Sequence, residues 1–291
     1  MLTGVWIPLI TPFKDGRIDL SSYRRIVEHY VGRGVSGLFP LGTTGEAPTL
    51  DDDEIDEIVA TTVELAAGRL PVFVGIGGND TRKLIKTIGR LGRFDFAGIV
   101  SVFPYYSRPT QDGMQQHFTA IAEATDRQIV IYNIPYRTSV NLANDTLLRL
   151  AERTNIVGVK DSSGSIAQSL DLLARRPADF SVLTGEDALF FTMLCSGADG
   201  GILAAAHLAT ERFVEIHRLV TANDHLAARR LWSSLSDFIP KLFQEPNPMP
   251  IKYCLWQQGL IASPECRLPL SSISGGLTRV LDHWLEKAKA A

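Results

Sequence analysis

One pattern constrains this chain more than any other. A short, continuously apolar run is followed by an amphipathic helical pattern, and the pair recurs eight times over about 220 residues. The apolar runs are Gly4–Ile10, Gly37–Leu41, Pro71–Gly75, Gly98–Phe103, Gln128–Tyr132, Ile156–Lys160, Phe180–Leu183 and Gly200–Leu203. The intervening helices begin with Leu20–Arg33 and end with Ala209–Val220. Strands apolar on both faces are those of a parallel sheet covered by helices. Eight regular units with no interrupting segment favour closure into an α/β fold, a (β/α)8 TIM barrel, over a doubly wound open sheet. The alternation stops near Asp224. Leu226–Leu242, Ile251–Gly259 and Gly276–Ala290 then read as helices, joined through the Pro-rich stretch Glu245–Pro250. The expected organisation is a barrel over 1–224 that carries the active site, and a C-terminal helical extension over 225–291.

Composition narrows the function classes. Lys and Arg number 29 against 32 Asp and Glu, a formal net charge of −3, so no broad basic surface awaits nucleic acid. No apolar run approaches the ~20 residues of a membrane span. The opening M-L-T-G-V-W-I-P has no basic stretch followed by a long apolar one, as a secretory signal would. Cys195, Cys254 and Cys266 are odd in number and far apart, which fits neither a disulfide framework nor a C-x-x-C site. A reduced, cytoplasmic protein is expected.

In a barrel of this kind the chemistry sits at the C-terminal ends of the strands. Lys160 closes the sixth strand, Ile156-Val157-Gly158-Val159. The other seven lysines, Lys252 among them, fall in turns, amphipathic helices or the tail. A lysine at the barrel mouth is partly desolvated, which lowers its pKa and frees the amine to attack a carbonyl. The competing reading is a lysine paired with Asp161 or Glu186. Tyr132 closes the neighbouring strand, about 5 Å away along the sheet, where its hydroxyl could pass protons to that amine. Standing alone, such a tyrosine would read as a rim aromatic.

Gly42-Thr43-Thr44-Gly45 offers amides and hydroxyls suited to a carboxylate or phosphate. It is not a Walker motif. Gly75-Ile76-Gly77-Gly78 fails the dinucleotide spacing and reads as tight turns. Arg137 lies in a Pro-bounded loop five residues after Tyr132, and its fork suits a carboxylate. The acids Asp51–Glu54 read as a helix N-terminus rather than a metal site. The six histidines form no ligand pattern, so no metal is expected.

These segments, together with G-V-W-I-P-L-I-T-P-F, P-Y-Y, Y-N-I-P-Y-R-T, G-V-K-D, E-P-N-P-M-P-I-K and R-L-P-L, resemble the pyruvate-dependent Schiff-base lyases, the family of dihydrodipicolinate synthase and N-acetylneuraminate lyase. The resemblance spans some 270 residues in order and spacing. It implies that Lys160 forms a Schiff base with pyruvate and that Tyr132 shuttles protons to it. Thr43 and Tyr106 would complete the hydroxyl relay, Tyr106 by reaching into a neighbouring subunit. Thr44 would hold the pyruvate carboxylate, Gly185 and Ile202 would line the pyruvate pocket, and Arg137 would bind the carboxylate of the second substrate. That arginine is similar to the synthase branch, whose second substrate is L-aspartate 4-semialdehyde and whose pathway leads to diaminopimelate and lysine. No cofactor beyond the covalent pyruvate adduct is implied. A homo-oligomer is: at least a dimer, with the family's common tetramer as a pair of dimers.

Several positions depart from the family pattern. Asp161-Ser162-Ser163-Gly164 stands where many synthases read E-A-T-G, and Ser107 where Asn is common. At the lysine effector site of inhibited synthases Asn79 and Tyr105 remain, but Asp52 replaces a common His and Lys83 a common Glu. Weak or absent lysine inhibition is expected. The same departures keep open a paralogous pyruvate-dependent aldolase, or a sugar-acid aldolase or dehydratase using the same lysine.

Overall fold

The computed structural model describes residues 1–290. Eight parallel strands form one sheet: β1 (Gly4–Ile7), β2 (Gly37–Leu38), β3 (Phe73–Gly75), β4 (Gly98–Val102), β5 (Gln128–Asn133), β6 (Ile156–Asp161), β7 (Ser181–Thr184) and β8 (Gly200–Ile202). The hydrogen-bonded order is β2-β1-β8-β7-β6-β5-β4-β3. A parallel bridge between Leu38 and Val72 joins the two ends. Bonds from the Leu38 amide to Pro71 O (3.0 Å) and from the Gly75 amide to Pro40 O (2.9 Å) reinforce it. The sheet is thus a TIM barrel, as the alternation predicts.

The strands keep a period of two even though both faces are apolar. Val5, Ile7, Ile129, Ile131, Val159 and Val182 point outward into the layer under the helices. Trp6, Phe39, Phe73, Val100, Val130, Leu183 and Ile202 fill the barrel interior. Trp6 and Phe73 meet edge to face, with ring centroids 5.1 Å apart. The large interior rings need small residues opposite: a Cβ on Gly37 would lie 2.3 Å from the Trp6 ring.

The structure corrects several boundaries. The first strand stops at Ile7 rather than Ile10, and a two-stranded hairpin follows, Phe13–Lys14 against Arg17–Ile18. Its turn is Asp15-Gly16, both with positive φ (53° and 76°), the geometry that an Asp-Gly pair favours in tight hairpins. The expected helix Leu226–Leu242 covers only His225–Ser233. Ser233, Ser234 and Ser236 turn their hydroxyls back on nearby carbonyls there, which competes with continued helix. A 3-10 segment, Ile239–Phe243, takes over around Pro240. Helices Met249–Gln257 and Gly275–Ala290 follow, and Leu235, Phe238, Ile251, Cys254, Leu277 and Leu281 share the hydrophobic core that lies outside the barrel. All three cysteines are free.

At Asp51–Glu54 the acids form a capping box. The Glu54 amide donates to Asp51 Oδ1 (2.9 Å) and the Asp51 amide to Glu54 Oε2 (3.1 Å). Among the described residues no group of His, Cys, Asp or Glu is arranged to hold a metal ion. No described helix is long and apolar enough to cross a membrane.

Candidate active site

The barrel register places Tyr132 directly opposite Lys160, and Asn133 opposite Asp161. Both side chains therefore point inward at the same level of the mouth. The Lys160 ammonium nitrogen lies 4.1 Å from the Tyr132 ring centroid and 5.2 Å from that of Phe39. Lys160 is 5% exposed. It makes no ion pair with any described residue, which sets aside the paired reading. Asp161 is occupied instead, accepting from the Ser163 amide (2.9 Å) and the Ser169 hydroxyl.

The sequence pattern put Lys252 on an ordinary amphipathic helix, yet its side chain is fully buried. There it pairs with Glu46 and donates to Glu265 O at 2.8 Å. Glu46 also accepts from the Arg267 amide (2.9 Å), and Arg267 forks onto Glu54. One buried lysine is neutralised by its own chain; the other is left for something else.

Burial lowers the Lys160 pKa from 10.5 to about 7, against the pull of Asp187 and Glu186. Burial raises Asp187 to about 6, partly offset by the Ala205 amide, which donates to its Oδ1 at 2.6 Å. Glu186 rises to about 7 through burial and the neighbouring Asp187. Burial raises the Tyr132 phenol as well, while the hydroxyls of Ser162 and Thr43 act the other way. Free amine and neutral phenol thus coexist at neutral pH.

Seven of the eight residues expected at the site line one pocket: Thr43, Thr44, Tyr132, Arg137, Lys160, Gly185 and Ile202. The Gly45 and Glu46 amides close back onto the carbonyls of Gly42 and Thr43. Those of Thr43 and Thr44 find no acceptor among the described residues. Gly185 admits no side chain, since a Cβ would sit 2.2 Å from Ser162 Oγ and 2.8 Å from Lys160 Cε. Arg137 does not lie in an open loop; it belongs to a one-turn helix, Pro135–Thr138, that swings its guanidinium within 5.5 Å of the Tyr136 ring. Tyr106 is not part of its own chain's pocket. It is 91% exposed, with φ of 72°, on the rim loop after β4.

The pocket also contains residues the sequence reading missed. Tyr136 lies within the Y-N-I-P-Y-R-T motif, and Asp187 two residues after Gly185. Phe243 and Asn247 come from the C-terminal extension. Asn247 donates from Nδ2 to Thr44 Oγ1 (2.9 Å), and the pair Lys252–Glu46 ties the same two segments together. The available signal was the pairing of G-T-T-G-E with E-P-N-P-M-P-I-K, two polar motifs some 200 residues apart.

Comparison with known proteins places the chain. The profile of the dihydrodipicolinate synthetase family matches residues 1–288. The chain belongs to this family. It is 52% identical over 284 residues to 4-hydroxy-tetrahydrodipicolinate synthase 2 of Clostridium acetobutylicum, covering 98% of this chain and 99% of the relative. It is 39% identical to the 4-hydroxy-tetrahydrodipicolinate synthase of Thermotoga neapolitana, covering 99% of each. Among solved structures, dihydrodipicolinate synthase from Thermotoga maritima superposes with a TM-score of 0.97 at 37% identity over the full length of both chains. The chloride-inhibited dihydrodipicolinate synthase from Acinetobacter baumannii, complexed with pyruvate, gives 0.96 at 34% identity and 99% coverage of each.

Proposed function

We propose that this protein condenses pyruvate with L-aspartate 4-semialdehyde to 4-hydroxy-tetrahydrodipicolinate, through a Schiff base on Lys160, as a step towards diaminopimelate and lysine. The observation that carries the reading is the buried, unpaired Lys160 facing Tyr132 at the barrel mouth. Family membership and the names of the relatives support the choice of substrates.

The residues divide the work by chemistry. The free Lys160 amine adds to the pyruvate carbonyl carbon, and the carbinolamine hydroxyl leaves as water. Thr44 and the amides of Thr43 and Thr44 hold the pyruvate carboxylate, in a space that Gly185 keeps open and Ile202 bounds. Tyr132, with Thr43 and Tyr106 of a second copy, carries protons to and from the adduct. Loss of a proton from the pyruvate methyl carbon gives the enamine, which attacks the aldehyde. Arg137 holds the carboxylate of that aldehyde. Its amino group then closes the ring and displaces Lys160. Exposed Tyr106 serves only a neighbour's pocket, so the active form is at least a dimer, and a tetramer built from two dimers satisfies the same need. We place the activity in the cytoplasm.

Lysine should be a poor inhibitor. Lys83 would repel its ammonium groups, and the Asp52 carboxylate is already taken by Arg90 at 2.9 Å.

The test is intact mass after treatment with pyruvate and borohydride, with Lys160→Ala alongside. One reduced pyruvate adduct per chain, absent from the variant, is expected, followed by turnover with aspartate semialdehyde. An adduct without semialdehyde turnover would point to the sugar-acid aldolase or dehydratase reading. No adduct would refute the Schiff-base chemistry.

A further inference from the structure

Ser162 and Glu186 stand beside the Lys160–Tyr132 pair, and the steps above give neither a task. Ser162 directly follows β6 and is fully buried. Its Oγ has no hydrogen-bond partner among the described residues, nor has the buried Oε1 of Glu186. Unbonded buried polar atoms are costly, so their persistence at a reacting centre asks for a reason. Their placement suggests one. The point above Gly185 that a Cβ would occupy is 2.2 Å from Ser162 Oγ and 2.8 Å from Lys160 Cε, so the hydroxyl and the lysine face the same space. The Ser162 hydroxyl lies near enough to both the Tyr132 phenol and the Glu186 carboxyl to lower the pKa of each, without forming a full bond to either.

We propose that Tyr132, Ser162 and Glu186 form a branch of the proton relay contained within one chain, with Glu186 as its proton store. The proposal rests on the Schiff-base reading above. Iminium formation consumes a proton: the Lys160 nitrogen bonds to the pyruvate carbonyl carbon, one amine proton moves to the oxygen, and the C–O bond breaks only when that hydroxyl gains a second proton. Tyr132 gives it and is refilled from Ser162, which is refilled from the Glu186 carboxyl. Enamine formation returns the proton. The methyl C–H bond breaks, its electron pair becomes the C=C bond, and the C=N pair returns to nitrogen. The released proton passes back along Tyr132 and Ser162 to the Glu186 carboxylate. Water is the only leaving group, and the store ends as it began.

Glu186 suits a store because its pKa is raised to about 7. The groups facing it are Asp187 on its own turn, Lys160, Asp161 and Ser162 on and after β6, and Tyr136 after β5. Adduct formation needs Lys160 free and Glu186 protonated. Its rate therefore peaks near neutrality and falls on both sides, with apparent pKa values that belong to the coupled pair.

The experiment is time-resolved borohydride trapping of pyruvate on the whole protein from about pH 6 to 9, for wild type, E186Q, S162A, the double variant and E186D. E186Q and S162A should each trap the adduct about a hundredfold more slowly, the low end for a lost acid–base group, and should lose the alkaline fall. The double variant should be no slower than either single one, because one break already opens the chain. E186D should recover part of the rate and the alkaline fall. Wild-type rates with an unchanged alkaline fall in E186Q, or additive losses in the double variant, overturn the branch. A wild type that traps no adduct overturns the branch together with the Schiff-base reading, and only that outcome removes the adduct altogether.

Discussion

Replacing Lys160 by Met should make this protein more stable, and by an amount that depends on pH. The side chain is buried and makes no ion pair, and burial lowers its pKa from 10.5 to about 7 against the pull of Asp187 and Glu186. The unfolded chain keeps the ordinary value, so between pH 7 and 10.5 it binds more protons than the folded one, and wild-type stability rises with pH across that window. Below about pH 7 the full penalty is present. Three and a half pH units at 1.36 kcal/mol each amount to about 5 kcal/mol. For 291 residues the unfolding entropy is about 0.6 kcal/mol per degree, so Lys160→Met should raise Tm by about 8 °C at pH 6. At pH 9.5 only one pH unit remains, and the gap should shrink to about 2 °C. Met is apolar and of similar length, so little volume is lost. Differential scanning fluorimetry of both proteins from pH 6 to 10 reads the result. A variant no more stable than wild type at pH 6, or a gap that does not narrow as pH rises, would refute an unpaired, desolvated lysine. On the proposed chemistry the variant is inactive, because the burial that destabilises the charged lysine is what frees its amine at neutral pH.

Three further outcomes follow from the same geometry. Arg137→Ala should leave borohydride trapping of pyruvate intact while raising KM for aspartate semialdehyde by about 10- to 100-fold, the worth of a hydrogen bond to a charged group; steady-state kinetics with each substrate varied separates the two. Lys252→Met alone strands the buried Glu46 carboxylate and should cost about 3–5 kcal/mol, whereas E46Q/K252M should recover much of it, read as Tm. Because Glu46 adjoins the Thr43–Thr44 turn, the single variant should also slow adduct formation. Titrating lysine into the coupled assay should leave the rate nearly unchanged at millimolar concentration; strong inhibition would show that Lys83 and Asp52 do not disfavour the effector.

Much of the site was legible because it follows local rules. A barrel strand of known direction puts its last residues at the mouth, so Lys160 and Tyr132 could be named from the ends of Ile156–Lys160 and Gln128–Tyr132. The acids at Asp51–Glu54 read as a helix start, which the capping box bears out. Errors arose where long-range contact decides. Lys252 looks like any helix-surface lysine until its burial against Glu46 is known. Asn247 sits in a Pro-rich connector that carries no periodicity, and only the folded extension brings it to Thr44. The expected helix Leu226–Leu242 was apolar enough to continue, but serine hydroxyls and Pro240 divide it.

Residue order was enough for the eight-stranded barrel and for placing Lys160 and Tyr132 opposite each other at its mouth. Those follow from periodicity and strand direction, which neighbouring residues encode. The folded chain was needed to show that Lys160 makes no ion pair, that Lys252 is neutralised by Glu46, and that the Ser162 hydroxyl and Lys160 crowd the same face of Gly185. Pairing, desolvation and the pKa values they set depend on which distant side chains meet in three dimensions, and the order of residues along a strand does not carry that information.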